Sequence, residues 1–489
     1  MEKIKSYLKT IDDVIAKGPY KPTWESLKGH AVPKWYQNAK FGIFIHWGVY
    51  SVPAFHDEWY PRFMYLQGHP AYEHHIKTYG PHKNFGYKNF IPMFTAPKFD
   101  PKEWAELFAE SGAKYVMPVA EHHDGFQMYD SELSLWTSVK MGPKKDITGL
   151  LKEECEKRGM VFTASSHRIE HYWFMNGGRQ FESDMPQEIP YGDLYWPSAI
   201  IPEPHLYATE GVFIPQDYMD DWLVRTCELV DKYRPLVLYF DWWIQIEGMK
   251  EYLQKFAAFY YNRGAEWGKE VAINYKFDAY MYKTAIRDVE RGQLAYVSPD
   301  FWQACTAVAK NSWGYTQGND YKKTNDIVCD LIDVVSKNGT MLLNVGPHPD
   351  GHIPEEDAKI LKEIGAWMRI NGEGIFDTTY WRRFGEGPTQ TPEGTFTDTL
   401  RDSYTTEDFR FTYKDGVLYV FSLNWPDDGV VRVKALGAGD KCAYRSMIKS
   451  IEVLGCDVDV KTVRCDDYLT VIAPGHKSDL PVCIKVNLK

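Results

Sequence analysis

Residues 115–124 read YVMPVAEHHD: an apolar run, Tyr115 to Ala120, that ends at once in Glu121, His122, His123 and Asp124. The figure recurs along the first two-thirds of the chain. FGIFIH ends at His46, VFTASSH at His167, LVLYFD at Asp241, VAINYK at Lys276 and TMLLNVG near Gly346. Amphipathic stretches such as PKEWAELFAESG, DITGLLKEECEKRG and MDDWLVRTCELVDKY lie between these runs. Short apolar runs alternating with helical periodicity predict βαβ units and a parallel sheet. The polar residues all fall at the C-terminal ends of the strands. A closed barrel gathers those ends into one mouth, whereas an open sheet brings fewer together. An open nucleotide-binding sheet would carry G-x-G-x-x-G or G-x-x-x-x-G-K-[ST] after a strand, and neither is present. The expected fold is therefore α/β: a (β/α)8-like (TIM) barrel over residues 1–378.

The texture changes beyond about Thr378. FRFTYKDGVLYVFSLNWPDDGVVRVKAL alternates apolar and polar residues around an Asp415-Gly416 turn, and IKSIEVLGCDVDVKTVRCDDYLTVIA continues in short strands. Residues 379–489 are expected to form a C-terminal antiparallel β-sandwich.

Bulk properties narrow the function. A net charge of −11 argues against a nucleic-acid partner, because phosphate binding needs a basic face. Aromatic content of 15% suits a protein that handles sugar rings. The eight cysteines form no C-x-x-C pair and read as free thiols, although a disulfide among the four C-terminal ones stays open. The N-terminus lacks an apolar signal region, and no run approaches the ~18 apolar residues of a membrane span. The sequence as written reads as cytoplasmic; a secreted or periplasmic chain trimmed of its leader would read the same. A homo-oligomer stays open.

The cluster Glu121 to Asp124 has three readings: a metal site, a hydrogen-bonded rim, or a sugar pocket. Adjacent residues on a strand point to opposite faces, so ligation by His122 and His123 together would need a bulge or turn. No H-E-x-x-H pattern occurs either. The sugar reading draws on a mouth that would also hold His46, Trp47, Glu58, Trp59, His167, Trp242, Trp243 and Trp313. A glycosidase also needs two carboxyl groups. Asp241, at a strand end among aromatics, is the first. Glu266 and Glu270 fall on the entry side of the next strand, which leaves Glu290, beyond VAINYK, as the second.

KWYQNAKFGIFIHWGVYSVPAF, DEWY, EHHDGF, NSWGY, VSKNGTMLLNVGPHPDG and NGEGIF, in order from about Trp35 to Phe384, closely resemble the α-L-fucosidases of glycoside hydrolase family 29. The resemblance implies a retaining exo-glycosidase acting on terminal α-L-fucosides, with Asp241 as nucleophile and Glu290 as acid/base. It implies a fucose pocket lined by His46, Glu58, Trp59, His122, His123 and His167, with Tyr239, Lys276 and Trp313 as further contacts. It implies a fucosylated oligosaccharide or glycoconjugate as partner, and no metal or cofactor.

Two departures stand out. Where many family members place a catalytic glutamate before SWGY, this chain has Gln303. Three readings follow: Glu290 serves instead, Gln303 replaces a glutamate by design, or catalysis is weakened. Lys276 stands where the family often has arginine, which removes the bidentate fork. The rivals to hydrolysis by Asp241 are a fucose-binding protein of the same fold and a metal-dependent hydrolase using His122 and His123.

Overall fold

The computed structural model describes residues 2–207, 210–439 and 447–488. Among these, eight parallel strands follow one another in chain order. They are β1 Phe41–Ile45, β2 Tyr115–Glu121, β3 in two pieces (Val161–Phe162 and Ala164–Ser166), β4 Val237–Phe240, β5 Ala272–Tyr275, β6 Ile286–Glu290, β7 Trp302–Ala307 and β8 Gly339–Val345. Each pairs with its neighbour in sequence, and β8 pairs back onto β1 with Phe41 opposite Met341, so the sheet closes. The barrel is the one expected from the strand-end pattern. Its interior is filled by side chains such as Phe44, Met117, Tyr239 and Leu342. Tyr115 also points inward, and Gly42 beside it is required: a Cβ there would lie 2.4 Å from the Tyr115 ring.

Helices α1 Glu2–Lys17, α2 Pro101–Glu110, α3 Ile147–Lys157, α4 Gln216–Tyr233, α5 Lys250–Trp267, α6 Thr324–Ser336 and α7 Glu355–Asn371 surround the strands. α2 shows how the sequence starts such a helix. Asp100 accepts hydrogen bonds from the Lys102 and Glu103 N–H groups, and Pro101 occupies the first turn, where no donor is needed. Among the described residues no helix separates β5 from β6 or β6 from β7. The alternation is therefore incomplete on that side. None of the helices is long and apolar enough to cross a membrane.

β9 Thr379–Glu386, β10 Phe409–Lys414, β11 Val417–Ser422, β12 Val430–Val433, β13 Ile448–Val453, β14 Lys461–Arg464, β15 Leu469–Ile472 and β16 Val482–Leu488 form two antiparallel sheets. Their orders are β9-β10-β11-β16-β13 and β12-β15-β14. The inner faces share one apolar core, with Phe411, Val420 and Ile484 from the first sheet and Val431 and Val471 from the second. The Asp415-Gly416 turn is a two-residue hairpin with φ of 48° and 83°, the left-handed pair such a turn needs. Cys442 lies outside the described residues; the other seven cysteines are free thiols.

The segment after β9 does not stay with its sheets. The Phe396 N–H donates to the Glu290 carbonyl (3.0 Å), and the Thr397 and Asp398 N–H groups donate to that of Arg291. Asp398 pairs with Lys322. Residues beyond 378 thereby reach the mouth of the barrel.

Candidate active site

A cavity of about 420 Å³ opens at the C-terminal ends of the strands. The eleven residues given catalytic or fucose-binding roles in the sequence all line it: His46, Glu58, Trp59, His122, His123, His167, Tyr239, Asp241, Lys276, Glu290 and Trp313. Of the other residues expected at the mouth, Trp242 lines it, whereas Trp47 and Trp243 are buried behind it, packed on Phe94 and Trp104 and on Tyr172 and Trp173. Their positions follow from local structure. His46, Asp241 and Lys276 are the first residues after β1, β4 and β5, and Glu290 is the last of β6. Glu58 and Trp59 enter the short helix Tyr60–Phe63. The strand rule that separates neighbouring side chains does not govern His122 and His123. Pairing of β2 with β3 jumps from Val119 opposite Ser165 to Glu121 opposite Ser166, and the strand then ends. Beyond that irregularity the two rings lie 4.1 Å apart and line the same cavity.

Glu121 turns away from the cavity. It pairs with Arg168 and Arg225, which both also bind Asp221. This buried network ties β2 to α4 behind the site. Asp124 is likewise buried outside the pocket and accepts from the Tyr87 hydroxyl (2.6 Å).

The Lys276 ammonium binds both Asp241 and Glu290. The nearest oxygens of the two carboxylates can therefore be no more than about two hydrogen-bond lengths, roughly 6 Å, apart. Asp241 also receives His167 Nδ1 at 3.1 Å and His123 Nε2 at 3.5 Å. Burial alone would raise its carboxyl, but Lys276, His167 and His123 hold it well below the usual carboxylate range. Burial works against the Lys276 charge too, yet Asp241 and Glu290 push its ammonium well above the ordinary lysine value.

The histidines are set differently. Burial pushes His46 and His122 far below the usual imidazole value, and neighbouring histidines add to the shift. Both rings are therefore neutral near pH 7, and each offers one donor and one acceptor. Asn344 holds His46 Nδ1 at 2.6 Å, whereas His122 Nδ1 is buried with no hydrogen-bond partner among the described residues. Glu58 accepts from the Ser312 hydroxyl and the Trp313 N–H, at 3.0 and 2.9 Å. The Arg291 guanidinium stacks 4.7 Å from the Trp313 ring and donates to the Ser312 carbonyl, fixing that loop.

Gln303 is elsewhere. It is fully buried inside the barrel, accepts from the Tyr36 hydroxyl and donates to Asp288 at 2.7 Å. It does not line the cavity. A metal is a weak match for the histidines. Ligand atoms of His123, His167 and Asp241 lie within 4.8 Å of one another, as do those of His46, His122 and His167. A cation in the first group would share Asp241 with the Lys276 ammonium, and the two like charges would repel in a buried pocket.

A family model for alpha-L-fucosidases matches residues 8–373. The chain belongs to the alpha-L-fucosidase family. It is 30% identical over 447 residues to human plasma alpha-L-fucosidase, covering 88% of this chain and 86% of that one. It is also 30% identical over 433 residues to the tissue alpha-L-fucosidase of Rattus norvegicus, covering 86% of this chain and 82% of that one. Among solved structures it resembles the Thermotoga maritima alpha-fucosidase in complex with fucose, at 29% identity and a TM-score of 0.73, covering 96% of this chain and all (100%) of the other. This family member is thus a glycoside hydrolase with a TIM-like barrel and C-terminal antiparallel sheets.

Sequence reasoning missed several residues of this alpha-L-fucosidase-family site. Glu170 is fully buried behind His123, with Oε2 3.3 Å from Nδ1. Burial, then the charge of Asp241, pushes its carboxyl far above the usual range. Phe44, Asp57, Phe63, Tyr207, Phe277 and Phe396 also line the cavity. Phe277 directly follows Lys276, a signal that was available; Phe396 carried none, because it lies beyond the expected barrel.

Proposed function

We propose that this protein is a retaining exo-fucosidase that hydrolyses terminal α-L-fucosides of oligosaccharides or glycoconjugates through a fucosyl-enzyme ester on Asp241. The observation that carries the reading is the single ammonium of Lys276 bound to both carboxylates. A retaining pair works at about 5–5.5 Å, whereas an inverting pair needs ~6.5–9.5 Å to admit a water. Two oxygens within reach of one Nζ suit the shorter range.

In the first step an Asp241 oxygen attacks the anomeric carbon. The bond to the leaving oxygen breaks, and protonated Glu290 supplies that oxygen's proton. In the second step Glu290, now a carboxylate, takes a proton from water. The resulting oxygen nucleophile displaces Asp241, which leaves as a carboxylate. Asp241 suits the first role because it is held ionised by its three cationic or donor neighbours. Lys276 balances the negative charge that returns to each carboxylate in turn. His122, with a free Nδ1, and neutral His46 supply donors and acceptors for sugar hydroxyls. Trp59 and Trp313 supply apolar walls.

Two measurements test the reading. Proton NMR during hydrolysis of an aryl α-L-fucoside should show α-fucose as the first-formed anomer. A 2-deoxy-2-fluoro-fucosyl fluoride should label the peptide containing Asp241. First-formed β-fucose, or a label on another residue, would overturn the mechanism.

A further inference from the structure

The loop between β8 and α7 carries HPDGH, residues 348–352, none of which lines the cavity around Asp241. Its backbone is a tight turn. The Gly351 N–H donates to the His348 carbonyl at 2.8 Å, with Pro349 second and Gly351 last in the turn, the places those residues favour. Gly351 has φ of 100°, and a Cβ there would lie 2.5 Å from the Phe99 nitrogen. The His348 N–H then donates to the His352 carbonyl at 3.0 Å. That bond sets the two histidines opposite each other on one face, as across a hairpin. Their rings stack, with centroids 4.6 Å apart and 28° between planes. The Trp47 indole holds the His348 carbonyl (3.0 Å), and the Trp104 indole holds that of Gly351 (2.9 Å). The turn is anchored on both sides.

Asp350 sits between the rings. Its Oδ1 lies 2.9 Å from His348 Nδ1 and 2.5 Å from His352 Nδ1. The Asp350 N–H also points at His348 Nδ1 (3.2 Å), which marks that nitrogen as carrying a lone pair rather than a proton. A lone pair facing a carboxylate oxygen repels it. A cation held between them would turn the repulsion into attraction.

The donors select the cation. Two imidazole nitrogens and one carboxylate oxygen suit zinc, whereas calcium and magnesium prefer oxygen alone. Zinc at ~2.0–2.2 Å from each donor would hold the donors about 3.3 Å apart. The three donor atoms already lie within 4.8 Å of one another. The side chains are only partly buried, so the rings can adjust and water can fill the remaining coordination positions. Lys98 holds the other Asp350 oxygen, Oδ2, at 2.8 Å, but its side chain is 65% exposed and can swing into water. In that respect the turn differs from the group around Asp241, whose carboxylate is bound by the buried Lys276.

We propose that His348, Asp350 and His352 form a zinc site, one ion per chain, separate from the cavity around Asp241. Three donors on an accessible turn hold zinc in exchange with solution, so the purified chain takes up the ion when zinc is supplied. Bound zinc clips the two ends of the turn together and stabilises the folded chain by mass action.

Calorimetric titration of the chelator-treated full chain with zinc chloride should show one ion per chain, and the melting temperature should rise as zinc is added. His348→Ala and His352→Ala should each weaken binding at least about a hundredfold, since losing a mere supporting partner of a ligand already costs ~10–100-fold. Asp350→Asn keeps the size of the side chain and should weaken binding likewise, while its zinc-free melting curve shows that the chain still folds. Lys98→Met should tighten binding about fivefold, the effect of removing one like charge a few ångströms away in water. His122→Ala should bind zinc as the wild type does. No binding at millimolar zinc, binding that survives both His348→Ala and His352→Ala, or binding lost in His122→Ala would each overturn the site.

Discussion

Lys276 Nζ lies 2.6 Å from Glu290 Oε2 and at the same time binds the Asp241 carboxylate. A buried cation between two carboxylates keeps the trio near charge balance at the floor of the cavity. It also couples the two groups: a change of charge on one alters the ammonium's hold on the other. Lysine does this with a point charge on a flexible stem, where a guanidinium would impose a planar fork.

The pH response follows from that contact. On the proposed mechanism Asp241 must be ionised to attack, and Lys276 is the largest of the groups holding it low. Removing the cation in Lys276→Met should raise the Asp241 carboxyl, so that activity is lost at a higher pH as the solution is acidified. Lys276→Arg should keep the acid limb close to wild type. Profiles of kcat/KM against pH for the three proteins check this; identical acid limbs would remove Lys276 from the control of Asp241.

Asp241→Gly should lose nearly all turnover, and sodium azide should restore part of it by entering the vacated space as a small anion and yielding a fucosyl azide. The product is identified by mass spectrometry. A glycine variant with near-normal kcat would exclude Asp241 as the nucleophile.

Glu290 and Gln303 separate by leaving-group dependence. Glu290→Ala should slow natural fucosides by ~10²–10⁴-fold, the usual range of general acid–base catalysis. Aryl fucosides with good leaving groups should still form the ester, so a burst precedes slow turnover. Gln303→Glu should bring no gain in kcat. It would place a second carboxyl beside Asp288, whose own carboxyl burial already pushes up to about 6. The melting temperature should fall instead. A large rise in kcat for Gln303→Glu would reverse this assignment.

Asp288 itself predicts a pH effect on stability. Its folded-state carboxyl is raised from 3.8 to about 6, chiefly by burial. The folded chain therefore holds this proton more tightly than the unfolded one. Its share of stability is complete below pH ~4, falls as pH rises to ~6 and is then constant. A shift of that size corresponds to roughly 3 kcal/mol. Relative to wild type, Asp288→Asn should be more favourable at pH 7 than at pH 4.5. Melting curves of both proteins at the two pH values decide it; a difference that does not change with pH would show that Asp288 ionises alike in both states.

His122→Ala should weaken fucoside turnover by about 1–3 kcal/mol in kcat/KM, the scale of a lost hydrogen bond to a sugar hydroxyl. Elemental analysis of the native protein should find no stoichiometric zinc, and a chelator should leave activity intact. Zinc that co-purifies with wild type and is lost in His122→Ala would restore the metal reading of the pair.

Much of this was legible in the chain itself. The recurring figure of a short apolar run ending in a polar residue identified six of the eight strands, their direction and one polar end of the barrel; β6 and β7 were not among its runs. These are local properties: side-chain alternation, β-propensity and helix caps are set within a few residues. For the same reason the residue pattern alone places His46, Asp241 and Lys276 at the mouth and the Asp415-Gly416 hairpin in the C-terminal sheets. What the chain could not state was which strand-end groups touch. Lys276 reaches both carboxylates only because barrel closure brings the ends of β4, β5 and β6 around one point. His122 and His123 share a cavity because β2 breaks register with β3. Gln303 is excluded because its position on β7 points it into the packed interior, against Tyr36 and Asp288. Phe396 enters the site from more than a hundred residues beyond Glu290, held by a backbone hydrogen bond that no local pattern encodes. Strand order, stagger and closure are long-range properties, fixed by the simultaneous packing of the whole barrel, and they decided the site.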